Sequence, residues 1–219
     1  MSASPSEQSM KTSDRTNQSI MSGIAIFFIK KLSNFFWEIA DLWSYKNEKI
    51  ATYYYKSIGQ EYKKEYEECR LTKDSNVLHI GCGAYPLTEI MLAQYNVRTV
   101  VGIDKNLLTV QRAQEVIRRR NLQGKISIEY GDGLDYPVKD FDGIIVSSCS
   151  LPKVQILEYL FATAKSQCQI IVREIDIATC DILKSIEAHH DIELMKCMRH
   201  NPFPFFEPIG WTTYCLRKK

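Results

Sequence analysis

Ser75-Asn76-Val77-Leu78-His79-Ile80-Gly81-Cys82-Gly83-Ala84-Tyr85-Pro86-Leu87-Thr88 is the stretch on which the reading of this chain turns. Val77, Leu78 and Ile80 form the short apolar run that fills a central parallel strand. Gly81 and Gly83 follow, and they permit backbone angles and a close approach that a Cβ would forbid, so a ligand can lie directly on the main chain. Pro86 suits the first position of a helix, where a missing N–H costs nothing, and Leu87, Ile90 and Met91 then give that helix an apolar face. Its N-terminus aims free N–H groups back at the turn.

Working outward, Thr99-Val100-Val101-Gly102-Ile103 reads as a second strand with Asp104 at its end, where a nucleotide fold places an acid for ribose hydroxyls. A third strand, Ile126 to Tyr130, ends in Gly131-Asp132-Gly133. The fourth, Gly143-Ile144-Ile145-Val146, follows Asp140-Phe141-Asp142 and precedes Ser147-Ser148-Cys149. Several strand ends bearing an acid or a glycine are much harder to obtain by chance than one.

Together these residues resemble the class I S-adenosylmethionine-dependent methyltransferase superfamily from Asn76 to the C-terminus, with Tyr85 where the usual third glycine stands. The resemblance implies an α/β, Rossmann-like seven-stranded sheet, mostly parallel with the last strand antiparallel, and helices on both faces. It implies S-adenosyl-L-methionine as cofactor, held by Gly81, Cys82, Gly83, Asp104, Asp132 and Ser147. A narrower likeness lies within the turn. Gly81 to Thr88 resembles the glycine-serine-glycine-proline-x-proline-leucine-threonine turn of nicotianamine synthases, which move an aminopropyl group from the same cofactor. Pro86, Leu87 and Thr88 match it, Cys82 and Ala84 do not, and Ile170-Ile171-Val172-Arg173 resembles that family's fifth strand.

The remaining elements agree with such a sheet. A helix over Asn106 to Arg120 presents Val110, Ala113 and Ile117 on one face, and another begins after Ser150, which can cap it, with Pro152 in its first turn. Cys168 to Val172 is the fifth strand, Ile177 to His189 a helix, and Ile192 to Met198 with Thr212 to Leu216 the final pair. The connecting loop, Asn201 to Trp211, is rich in proline and aromatics and reads equally as a substrate lid or as a loop packed on the last helix.

At 219 residues the chain fits one domain of ordinary size with a small attachment. Residues 1–19 are polar and aperiodic and are expected to be a disordered tail, residues 20–72 a helical cap, and residues 73–219 the cofactor-binding domain. In the cap, Ile24, Phe28, Leu32, Phe35, Phe36, Ile39 and Trp43 recur at helical spacing, with Asn34, Glu38 and Asp41 between them. Lys30-Lys31, Glu38 and Asp41 interrupt that stretch, so it is too short in apolar residues to span a bilayer. Packing on the domain or on a second subunit is favoured over peripheral contact with a membrane surface. The second cap helix, Ile50 to Leu71, is dense in tyrosine and offers Glu61, Glu65, Glu67 and Glu68.

Net charge is +2, from 28 basic and 26 acidic side chains, and leaves no footprint for a nucleic-acid partner. Arg118-Arg119-Arg120 closes a helix and reads as a solvated end. Seven cysteines, with no paired metal spacing, point to reduced thiols, a cytoplasmic setting and no metal site. His79 reads as a hydrogen-bonded core histidine, and Cys82 and Cys149 as packing residues. Candidates for a catalytic role are Tyr85, Glu65 and Glu68. The leading functional reading is methyl transfer to a small-molecule acceptor, ahead of aminopropyl transfer of the nicotianamine synthase kind. A non-catalytic partner or membrane-docked module of the same fold comes third. Base methylation in nucleic acid is disfavoured because Ser147-Ser148-Cys149 stands where an acid- or amide-proline-proline-aromatic run would be.

Overall fold

The computed structural model describes residues 5–201 and 210–219, with side chains from residue 25 onward except at 177. Among these, seven strands form one sheet: β1 (Asn76–Ile80), β2 (Thr99–Asp104), β3 (Ile126–Tyr130), β4 (Gly143–Val146), β5 (Gln169–Ile175), β6 (Ile192–His200) and β7 (Trp211–Lys218). Their order is β3-β2-β1-β4-β5-β7-β6, and only β7 runs antiparallel to its neighbours. The architecture is therefore the one expected from the sequence. β1 and β4 lie at the centre, where the strand order reverses, and every residue of β4 is buried. A crevice at the carboxyl ends of such strands is where open α/β sheets hold ligands.

Side chains alternate between two cores. Val77, Val100, Ile145 and Ile171 face a layer built by α2 (Glu48–Glu68), α3 (Leu87–Gln94) and α4 (Leu107–Arg119). Leu78, Ile80, Ile144 and Val172 face α5 (Lys153–Thr163) and α6 (Cys180–Ala188) on the other side. Asn106 caps α4 through Leu108 N–H at 3.0 Å, and Asn47 caps α2 through Lys49 N–H at 2.9 Å. Each cap is worth about 1 kcal/mol over alanine.

The cap helix α1 runs Pro5–Lys46, so helix begins within the stretch read as a tail. No proline or glycine interrupts residues 6–22, which removes the usual local reason for a break. Its later half is tied to the domain by Lys30 to Glu174 at 2.7 Å and by Tyr45 Oη donating to Glu115 at 2.7 Å. Phe27, Phe28, Leu32, Phe35 and Trp43 remain exposed on it. Among the described residues no helix is long and apolar enough to cross a membrane.

Four local readings are corrected. Ser150 does not cap α5; its hydroxyl donates to Ile80 O at 2.8 Å, bracing the end of β1, and Pro152 precedes the helix instead of lying in its first turn. The sixth helix starts at Cys180, because Asp176–Ala178 winds as a 3-10 turn. Cys69 and Cys215, 146 residues apart, form a disulfide between the end of α2 and β7, so the thiols are not all reduced. Arg120 is not a free solvated end: it donates to Tyr85 Oη at 2.8 Å and pairs with Glu48 at 3.1 Å. Most of the Asn201 to Trp211 loop, with its two readings, lies outside the described residues.

Candidate functional site

A cavity of ≈ 610 Å³ opens along the carboxyl ends of β1, β2, β3 and β4, roofed by α1 and α2. Gly81 and Gly83 form its floor with φ of +88° and +71°, angles that L side chains rarely adopt. A Cβ on Gly81 would also run into the Ser150 hydroxyl. Asp104 at the end of β2 fixes the turn, accepting from Gly83 N–H at 3.3 Å and from Asn106 N–H at 2.9 Å. Asp132 accepts from Leu134 N–H at 3.1 Å and stands in the wall between Gly131 and Gly133. Ser147, beyond β4, completes that wall after its N–H bonds Ile80 O at 3.0 Å. Cys82 lies in the turn with its thiol pushed well above the usual range by burial, and by nearby Glu89 and Asp104. Cys149, also in the wall, is pushed up to about 11 by burial. Burial thus disfavours the thiolate form of both.

The cap contributes a residue that reading from the sequence missed. Asp41 accepts backbone hydrogen bonds from Ala84 and, at 2.9 Å, from Tyr85, so its carboxyl covers the free N–H groups ahead of α3. Burial raises its pKa to about 8, with Glu89 and Asp104 pushing the same way and the two backbone donors pulling back. Glu38, Asn34 and Trp37 line the same wall. Asn34, Glu38 and Asp41 fall at i, i+4 and i+7 among the apolar residues of the later half of α1, a pattern that marks a polar stripe on one face.

The three candidates for catalysis separate. Tyr85 lines the cavity, but its hydroxyl is held by Arg120. Glu65 is fully buried behind the wall, and Arg173 Nε reaches both its oxygens at 3.0 Å. Glu68 lies on the outer surface paired with Lys196, away from the cavity, because it falls on the exposed face of α2. Glu61 is drawn to Lys64 and His200. His79 is a core histidine as expected, with Nδ1 2.8 Å from Glu89 Oε1, yet it also lines the cavity and its Nε2 has no partner.

These residues fit S-adenosylmethionine. The cavity lies within the roughly 300–1,000 Å³ range of small-molecule sites. Its floor is a glycine turn open to close approach, an acid stands at the second strand end, and Ile80, Leu151 and Ile156 add apolar wall for a base. The unpartnered Nε2 of His79 is a polar group awaiting a partner.

Comparison with known proteins agrees. A family model described as a methyltransferase domain matches residues 77–169. The chain is 33% identical over 79 residues to norajmaline N-methyltransferase of Rauvolfia serpentina, covering 35% of this chain and 27% of that protein. It thus spans about a quarter of that curated relative. Among solved structures, the nicotianamine synthase MtNAS, crystallised as a point mutant, superposes with a TM-score of 0.73 at 17% identity, covering 90% of this chain and 76% of the other. A putative sarcosine dimethylglycine methyltransferase from Galdieria sulphuraria gives 0.57 at 13% identity, covering 74% and 85%. The likeness to a methyltransferase domain thus runs over residues 77–169, which take in the glycine turn and strands β1 to β4 of the sheet. That likeness points to S-adenosyl-L-methionine as the cofactor for the cavity.

Proposed function

We propose that the protein transfers a methyl group from S-adenosylmethionine to a small-molecule acceptor held between the cap and the sheet edge. The observation that carries this is the shared cavity: Trp37, Asp41, Tyr54 and Tyr62 of the cap and Gly81, Gly83 and Asp104 of the sheet edge wall the same space. When bound, the cofactor would supply an electrophilic carbon on a sulfonium centre, with sulfur able to keep the S–C electron pair as leaving group. The protein's part is alignment and exclusion of water. The glycine turn and Asp104 fix one reactant, and the aromatic cap fixes the other. Asp41, whose pKa is raised to about 8 and which therefore holds its proton near pH 7, lies in the same wall with the carboxyls of Glu38, Asp104 and Asp132.

A second reading, aminopropyl transfer, is favoured by one contact. Thr88 and Arg173, which belong to the two segments that resemble nicotianamine synthases, touch each other: Arg173 Nη1 donates to Thr88 Oγ1 at 2.8 Å. The superposition on MtNAS also takes in the cap, to 90% of this chain. Mass spectrometry of the full chain incubated with S-adenosylmethionine and a metabolite extract separates the readings. S-adenosylhomocysteine is expected; methylthioadenosine above the no-enzyme background would replace the first reading by the second. Neither product, together with no calorimetric binding of S-adenosylhomocysteine, would sink both.

A further inference from the structure

Arg173 lies in the carboxyl half of β5 and is 3% exposed. Four contacts hold its guanidinium: Nε to both Glu65 oxygens at 3.0 Å, Nη1 to Thr88, and the Tyr62 ring, whose centroid lies 3.7 Å from Cζ. Nη2 is left without a partner. The same side chain lines both the main cavity and a small chamber of ≈ 50 Å³ beside it, walled by Trp37, Tyr54, Tyr62 and Trp211. A buried donor of fixed charge, rigidly aimed and unpaired, is a group that a ligand acceptor satisfies.

The surroundings select the sign of that acceptor. Lys153 is buried beneath, with Nζ 3.1 Å from Arg173 O, and Lys30 pairs with Glu174 next along β5. Among the described residues that line the chamber, Arg173 alone carries a charge. The chamber is also lined by Ser147, Ser148 and Cys149, and its aromatic rings lower the local dielectric in which a charge-assisted bond to Arg173 would form.

We propose that Arg173 is a specificity-determining residue that receives the carboxylate of the acceptor, so the substrate class is a small carboxylic acid bearing a nucleophilic group. This rests on the transferase function proposed above. The planar guanidinium edge matches a carboxylate, and the four contacts pre-organise it, so little ordering entropy is lost on binding.

The test uses the full chain saturated with S-adenosylhomocysteine, with acetate and its neutral isostere acetamide as probes. The indole signals of Trp37 and Trp211 are followed by NMR. Saturable acetate binding, at least about tenfold tighter than acetamide, is expected. The paired variant Glu65→Gln with Arg173→Met, which leaves no unpaired buried charge, should abolish the acetate response while holding S-adenosylhomocysteine affinity within about threefold. If that variant does not fold, the wild-type arms still decide. Equal response to acetate and acetamide overturns the proposal. So does acetate binding seen only when 5′-methylthioadenosine replaces S-adenosylhomocysteine, since Arg173 would then hold the cofactor's own carboxylate. Failure of S-adenosylhomocysteine to bind would count against the transferase function, and acetate titrated into the ligand-free chain would still decide the Arg173 site.

Discussion

Asp41 accepts a hydrogen bond from the backbone N–H of Tyr85 at 2.9 Å, which joins the cap helix to the glycine turn 44 residues later in the chain. With a pKa raised from 3.8 to about 8, this carboxyl binds its proton more tightly folded than unfolded. The folded state therefore holds the extra proton between those values, and its stability falls as pH rises through that window. The ligand-free protein should lose Tm from about pH 5 to pH 8, and Asp41→Asn should flatten the dependence. A thermal scan across pH checks this; an unchanged slope in the variant would assign the dependence to another group.

The same raised pKa makes cofactor binding a proton-linked event. Asp41 lies at the glycine turn proposed to hold the cofactor, and a cofactor ammonium seated beside it would favour the ionised carboxylate, so S-adenosylhomocysteine binding near pH 7 should release a proton. Calorimetry in buffers of different ionisation heat measures that release. The wild type should show a fraction of a proton and Asp41→Asn none.

Gly102 gives β2 the room for the pair beneath the turn. A Cβ there would strike Glu89 Oε1, the oxygen 2.8 Å from His79 Nδ1. Gly102→Ala should cost about 1–3 kcal/mol by forcing that carboxylate aside. Because His79 lines the cavity, S-adenosylhomocysteine affinity should fall with it. Urea denaturation and calorimetry on the same variant read the two effects separately.

The sheet was legible because its signal is local. Val77 to Ile80, Thr99 to Ile103, Ile126 to Tyr130 and Gly143 to Val146 are short apolar runs bounded by turn residues, and each became a strand within one residue of its reading. Gly81, Cys82, Gly83, Asp104, Asp132 and Ser147 follow strand ends, so one topology brings them to one cavity. The roof was not legible for the opposite reason. Asp41 and Trp37 meet the turn only through the packing angle of α1, which no local pattern encodes. Arg173 showed its place in a strand but not its bond to Glu65, 108 positions earlier. Cys69 and Cys215 likewise meet only after folding, which is why an odd cysteine count read as reduced thiols.

That disulfide has a measurable consequence. It fastens the residue that follows α2 to β7 and closes a long loop, and bridges of that kind are worth about 2–4 kcal/mol. Reduction should lower Tm, as should Cys69→Ser, and the two effects should not add. Intact mass after alkylation with and without reductant distinguishes two modified thiols from none at this pair.

The buried Arg173–Glu65 pair should be far more costly to halve than to remove. Both side chains are nearly inaccessible, 4% and 0% exposed, so Glu65→Gln alone strands a guanidinium whose Nε loses both carboxylate oxygens. Breaking one partner of such a pair costs about 3–5 kcal/mol, whereas replacing both by neutral groups of similar volume is often close to neutral. Glu65→Gln should therefore lower stability steeply, and adding Arg173→Met should restore a large part of it. Urea unfolding of the two single variants and the double variant closes the cycle. Additive losses would mean that Thr88 and Tyr62, and not Glu65, are the partners that hold the guanidinium in place.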